Sequence, residues 1–357
     1  MMKRFLVKVM LFATAVLGFV VCVNLIGDPA NLFVFKYEEN LANELLSGNN
    51  VSNIANFDER QLQRHYIEGL ETAPDYAVLG SSRTLMIRDD FLTNSSLRNH
   101  SVSGASLEDL IGIFQLYRET GKLPDHLLIG IDPWVFNERN GQIRWKSIAD
   151  AYWRFHGKSE AEEVVERTLF DLQQLISVSY FQSSLWTLLT NRNKGIQVTD
   201  TETNDGKTRL WDGSMVYGSH VRERQPLEVN RLAHNYIQGG VYSLDHFDSI
   251  SETLWKEFSE WIEVVLAHQI EVAFVMVPYH PKVSQHLAQD YPVVAEVEKR
   301  VRSFAQQHQI PISGSFDARN LGFDNTAFYD AMHCRPFAVR QLAEPLLNPY
   351  LLLNTSG

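Results

Sequence analysis

Two short stretches of this chain carry residue types that could perform acyl transfer. The first is Tyr76-Ala77-Val78-Leu79-Gly80-Ser81-Ser82-Arg83-Thr84, a serine pair at the end of a strand-like apolar run. The second, near the C-terminus, is Phe328-Tyr329-Asp330-Ala331-Met332-His333. A serine hydroxyl is a poor nucleophile until a base takes its proton, an imidazole is such a base, and a carboxylate can fix the tautomer of that imidazole. Ser82, His333 and Asp330 are the candidates for these three roles, with Ser81 as the alternative nucleophile. Each also has an ordinary structural reading. Serine after a strand is a good helix N-cap, Asp330 can cap a helix, and His333 can be a surface histidine.

Other residues fall near the same place. Gly104, in His100-Ser101-Val102-Ser103-Gly104, would allow close backbone approach and can offer an N–H to an oxyanion, or it is a plain turn glycine. Asp132 ends the run His126-Leu127-Leu128-Ile129-Gly130-Ile131-Asp132, and His280 lies in Pro278-Tyr279-His280-Pro281, where it lines a pocket or sits in a plain loop. The histidines are scattered, with no His-x-x-x-His or Cys-x-x-Cys pair, so no metal site and no cofactor is expected.

The elements that must position these residues alternate between strand and helix. Strands are expected at 76–79, 100–104, 126–132, 270–277 and 310–312. Helices are expected to open at Arg83 and to run from a Ser106 cap to about Thr120, then over 250–268, 291–308 and 335–347. Strands separated by helices of this size imply a doubly wound parallel α/β sheet, in which ligands bind past the carboxyl ends of strands. Ser82, Gly104, Asp132 and Pro278 all fall just past strand ends. The segment 137–247 breaks the rhythm and reads as an insertion, with helices at 159–177 and 180–191 and a polar loop over 192–212. Its Trp145, Trp153 and Trp211, with Tyr217 and Tyr242, could stack on sugar rings or could fill the core of a lid.

The order of these blocks resembles the SGNH (GDSL-like) hydrolase superfamily over roughly residues 75–136 and 249–347. Gly80-Ser81-Ser82 stands where that family has Gly-Asp-Ser, Gly104 at the second-block glycine, and Asp330-Ala331-Met332-His333 at the Asp-x-x-His block. With Ser81 in place of the aspartate, the chain is similar to the membrane-anchored branch, which includes the teichoic-acid D-alanyl transfer and alginate O-acetylation proteins. The resemblance implies an SGNH/flavodoxin-like fold and serine-dependent acyl transfer to or from an extracytoplasmic glycan, with an acyl-handling membrane protein as a further partner. The family's third block supplies an asparagine to the oxyanion hole, and here Asp132 occupies that place. An ionised carboxylate would repel the developing charge. So Asp132 is protonated, or it turns away toward Arg83, or the hole uses backbone donors alone.

The 357 residues carry a formal net charge of −11, which argues against nucleic-acid binding. Phe5 to Ile26 is an apolar run whose one charge is Lys8, long enough to span a bilayer, and Lys3, Arg4 and Lys8 favour a cytoplasmic N-terminus. The run reads as an uncleaved anchor, with a cleaved signal peptide as the rival. Two cysteines, Cys22 and Cys334, make no disulfide framework, which fits a bacterial inner membrane protein with its main domain outside the cytoplasm. The expected organisation is an anchor (1–27), a stalk with lead-in helices (28–74), an α/β domain (75–347) and a tail (348–357). Three functions remain open: an anchored acyltransferase or esterase, a non-catalytic glycan-binding scaffold of an envelope modification complex, and a simple secreted esterase.

Overall fold

A computed structural model describes residues 2–27, 37–54, 57–158, 176–190 and 196–348. Its strands, in chain order, are β1 (Asn50–Ser52), β2 (Tyr76–Leu79), β3 (Leu97–Asn99), β4 (His126–Gly130), β5 (Gln197–Thr199), β6 (Thr208–Arg209), β7 (Met215–Val216), β8 (Glu271–Met276) and β9 (Ile312–Gly314). Five of them form a sheet in the order β3-β2-β4-β8-β9, with every neighbouring pair parallel. Val78 in the centre of β2 lies opposite Asn99 on one side and Leu128 on the other.

The three central strands, β2, β4 and β8, are short, apolar and largely buried, as the middle of a parallel sheet covered on two faces requires, whereas the edge strands β3 and β9 are more polar. Successive side chains point to opposite faces. Ala77, Leu79, Leu127, Ile129, Phe274 and Met276 therefore enter one core, while Tyr76, Val78, Leu128 and Val275 enter another. The first core is closed by helices Glu59–Gly69, Leu107–Thr120, Glu252–Ala267 and Val293–Gln307. The second is closed by helix Pro336–Leu347 and by the turns that follow β2 and β7.

Local sequence explains where the helices begin and end. The Ser106 hydroxyl accepts the Asp109 N–H while the Asp109 carboxylate accepts the Ser106 N–H, a reciprocal cap, and Gly121 closes the helix. Asp109 also takes two hydrogen bonds from the buried Arg60 guanidinium, at 2.8 and 2.9 Å, which fastens helix Glu59–Gly69 to helix Leu107–Thr120. In helix Glu252–Ala267, Phe258, Trp261, Ile262 and Val265 form one buried stripe.

Some local elements differ from the sequence reading. The second strand of the parallel sheet is Leu97–Asn99, and His100–Gly104 is the loop beyond it. Asn99, the last residue of this strand, donates from its side chain to the Thr84 and Ile87 carbonyls, both at 2.8 Å. The expected helix after Arg83 is a series of turns with a short 3-10 helix at Asp89–Phe91. The loop expected over 192–212 contains β5 and β6, which join β1 and β7 in a second, antiparallel sheet of order β5-β1-β6-β7. The helix expected at 159–177 lies outside the described residues except for its last two positions, and the tail lies outside them beyond 348.

Phe258 is fully buried, with ring contacts to Phe136, Trp255, Trp261, Phe274 and Phe304. Truncation there leaves a cavity that five aromatic neighbours cannot easily fill. Phe258→Ala is expected to lower unfolding free energy by about 3–5 kcal/mol in urea titrations of the detergent-solubilised chain. A loss below about 1 kcal/mol would contradict this packing.

Candidate active site

The two distant stretches meet at the carboxyl edge of the parallel sheet. Ser82 Oγ lies 2.9 Å from His333 Nε2. On the other side of the ring, His333 Nδ1 lies 2.9 and 3.0 Å from the two Asp330 oxygens. An ionised carboxylate at Nδ1 selects the tautomer with the proton on that nitrogen, which leaves Nε2 to accept from the serine hydroxyl. Ser82 is part-exposed, whereas Ser81 is fully buried and its hydroxyl accepts the Arg83 N–H at 3.2 Å. The nucleophile-like position is thus held by Ser82.

Asp330 owes its place to its own turn. Its Oδ1 accepts the backbone N–H groups of Met332 and His333, both at 2.9 Å. Burial pushes this carboxyl up, but the charge of His333 and these hydrogen bonds outweigh burial and bring it down to about 2. It is therefore ionised at neutral pH. The Tyr217 ring stands edge-on to the imidazole, with centroids 5.9 Å apart.

Arg83 and Asp132 form a buried ion pair, Nη1 to Oδ1 at 2.7 Å. The same guanidinium donates to the Val277 carbonyl and, at 3.3 Å from Nε, to the Met332 carbonyl, and it lies 4.0 Å from the centre of the Tyr279 ring. Burial pushes the Asp132 carboxyl up, with the Arg83 charge the main force opposing it. Of the three options for Asp132, the geometry is that of the turn toward Arg83.

Gly104 is next to this arrangement. Backbone pairing continues past the ends of β2 and β3, where Val102 N–H donates to the Gly80 carbonyl at 3.0 Å, so Ser82 and Gly104 each stand two residues beyond that bond. The N–H groups of Ser82 and Gly104 have no acceptor among the described residues. Gly104 has φ +59, and an added Cβ would lie 2.3 Å from the Tyr242 hydroxyl and 2.5 Å from Arg144 Nη2. The left-handed φ favours glycine here, and an added Cβ would have to push the ends of those two side chains aside. Trp134 Nε1 holds the adjoining Ala105 carbonyl at 2.8 Å.

The insertion frames the site. Met215 N–H donates to the Leu85 carbonyl and Asn99 N–H to the Asp212 carbonyl, both at 2.8 Å, which braces the turn after Ser82. Tyr242 N–H donates to Tyr236 Oη at 3.0 Å, and Tyr236 Oη contacts Met332 Sδ at 3.4 Å, a chain that joins the Gly104 loop to the His333 loop. Arg224 Nη1 lies 3.3 Å from the Tyr329 carbonyl and 3.8 Å from Asp330 Oδ2. Trp145 and Trp153 pack on Tyr152, and Trp211 lies under the Arg98 guanidinium.

His280 is buried beside the His333 loop, not against Ser82. Its N–H donates to the Ala331 carbonyl at 3.0 Å, its Nδ1 accepts the Lys282 N–H at 3.2 Å, and its ring packs on Phe328. It caps the N-terminus of helix Pro281–Asp290, an element the sequence analysis does not anticipate. Burial, followed by the Lys282 charge, holds His280 at about 4, so it is neutral at pH 7. No group of three His, Cys, Asp or Glu side chains converges among the described residues.

Fold and site together define a mixed α/β protein whose parallel five-stranded sheet carries a hydrogen-bonded serine, histidine and aspartate at its carboxyl edge. No family model matches the chain, and no curated protein matches it.

Arg83→Met leaves the Asp132 carboxylate buried without its cation and is expected to cost about 3–5 kcal/mol of stability. Adding Asp132→Asn removes the stranded charge, so the double variant is expected to recover part of that loss in thermal melts. A double variant no more stable than Arg83→Met alone would contradict the pairing.

Proposed function

We propose that the chain is a membrane-anchored, serine-dependent O-acyltransferase or esterase of SGNH-like, doubly wound α/β build. It would act outside the bacterial inner membrane on a cell-envelope or exported polysaccharide. One observation carries this reading: the 2.9 Å approach of Ser82 Oγ to an imidazole whose other nitrogen is held by Asp330. The parallel sheet supports it, since such sheets bind ligands beyond their strand ends. An apolar helix at Lys3–Gly27, long enough to cross a bilayer, supports the anchor.

In the proposed reaction Ser82 Oγ attacks the acyl carbonyl carbon as its proton passes to His333 Nε2. The former carbonyl oxygen becomes an oxyanion, held by the uncommitted N–H groups of Ser82 and Gly104. Collapse of this intermediate breaks the bond to the leaving alcohol, which takes the proton from His333, and leaves an acyl ester on Ser82. A sugar hydroxyl or water then gives its proton to His333, attacks the ester and releases Ser82. Asp330 fixes the ring and stabilises the imidazolium throughout. An unbalanced Asp132 carboxylate at this edge would repel an oxyanion and so favour the non-catalytic scaffold. With Arg83 beside it, its charge is balanced, and it no longer argues against an oxyanion at this edge.

With p-nitrophenyl acetate, the full chain in detergent is expected to release nitrophenol. Ser82→Ala and His333→Ala should each slow release by about 10²–10⁴-fold. A folded wild type with no turnover, or a Ser82→Ala variant of undiminished rate, would overturn the reading.

A further inference from the structure

Helix Val178–Thr190 in the insertion has no charged residue and packs against the end of the N-terminal helix Met2–Gly27. The rings of Phe19 and Phe181 meet edge-to-face with centroids 6.0 Å apart. At Gly27 the backbones come so close that an added Cβ would lie 2.6 Å from the Ser184 carbonyl oxygen. Close approach at small residues is how helices associate inside a bilayer, where apolar side chains gain nothing by leaving lipid. Val23, Asn24 and Gly27 are buried on the N-terminal helix and Ser184 is buried on its neighbour, so a polar position of the span is covered by protein. Ile176, Leu185, Leu188 and Leu189 remain exposed, Leu189 by 74%.

Phe19, whose ring meets Phe181, is also exposed, as are Leu25 and Ile26 beside the close approach of Gly27 to Ser184. If that helix spans a bilayer, lipid covers those three side chains, and the neighbouring surface lies at the same depth. Thirteen residues make a helix of about 20 Å, too short to cross a hydrocarbon core of about 30 Å but of the length of an interfacial or re-entrant segment. We propose that Val178–Thr190 is a second membrane element, docked on the C-terminal third of the anchor with Ile176, Leu185, Leu188 and Leu189 in the lipid of the outer leaflet. This rests on the reading of the N-terminal helix as an anchor. Its consequence is positional: the insertion that braces the Ser82 turn is also held at the bilayer, so the catalytic domain keeps one orientation to the membrane instead of swinging on a single helix.

Cys334 is buried and its thiol is pushed up to about 12 by burial, so a Cys22→Ala background admits one added label in the native chain. The full chain would be reconstituted in phosphatidylcholine–phosphatidylglycerol vesicles with Phe12→Cys, Leu189→Cys or Leu227→Cys, each carrying an environment-sensitive dye. Phe12 lies mid-span and 72% exposed, and Leu227 is 83% exposed on helix Pro226–Gln238. Nitroxide lipids are expected to quench positions 12 and 189 severalfold and to leave 227 unchanged. Quenching at 12, with 189 behaving like 227, overturns the second membrane element and leaves the anchor standing. No quenching at 12 overturns both.

Discussion

The guanidinium of Arg83 lies among loops that the chain reaches at widely separated points. It follows Ser82 directly, and its hydrogen bonds end on Asp132 after β4, on the Val277 carbonyl after β8, and on the Met332 carbonyl beside His333. A buried cation needs a counter-charge and filled hydrogen bonds. Meeting that need draws the nucleophile-like turn, two strand ends and the histidine loop to one centre. Asp132 therefore serves as the partner that makes a buried Arg83 tolerable. The 2.9 Å contact between Ser82 and His333 rests on this arrangement, since both residues adjoin groups that the guanidinium fixes.

Around that centre the parallel sheet supplies the frame and the insertion supplies the clamps. Parallel strands place their following loops on one edge, so Ser82, Gly104, Asp132 and Pro278 share an edge without any special device. The precision comes from elsewhere. Asn99 holds the turn after Ser82 through two carbonyls, the β6–β7 segment holds it from outside, and Tyr236 with Tyr242 spans from the His333 loop to Gly104. The site is thus assembled from residues on loops just past the strand ends, held in place by Asn99, the β6–β7 segment and the tyrosine pair.

Much of this frame was legible in the sequence because its signals are local. Ser106 and Asp109 announce a reciprocal cap, Gly121 a stop, and the apolar runs at 76–79, 126–130 and 271–276 buried strands. The serine, histidine and aspartate were legible through their types and order, and Arg83 as the partner of Asp132 was among the options weighed. What escaped was non-local. The sheet of β1 with β5, β6 and β7 joins strands of two or three residues across some 150 positions, as Ser52 and Gln197 do at a separation of 145. Arg224 reaches Tyr329 from 105 residues away, and no feature of its own neighbourhood marks it. Leu97–Asn99 was misplaced because residues 97–104 are small, polar and apolar in a mixture that fits strand or loop equally. The Asn99 side chain reaches the Thr84 and Ile87 carbonyls, contacts that periodicity does not announce.

The central claim is that His333 makes one hydroxyl, that of Ser82, reactive. Its most direct test is to treat the full chain with a fluorophosphonate, digest it, and locate the adduct by mass spectrometry. The expected result is a single phosphonyl group on Ser82, formed in the wild type and absent when His333 is replaced by alanine. An adduct on another residue, or an unmodified Ser82 in folded protein under forcing concentrations of reagent, would contradict the account.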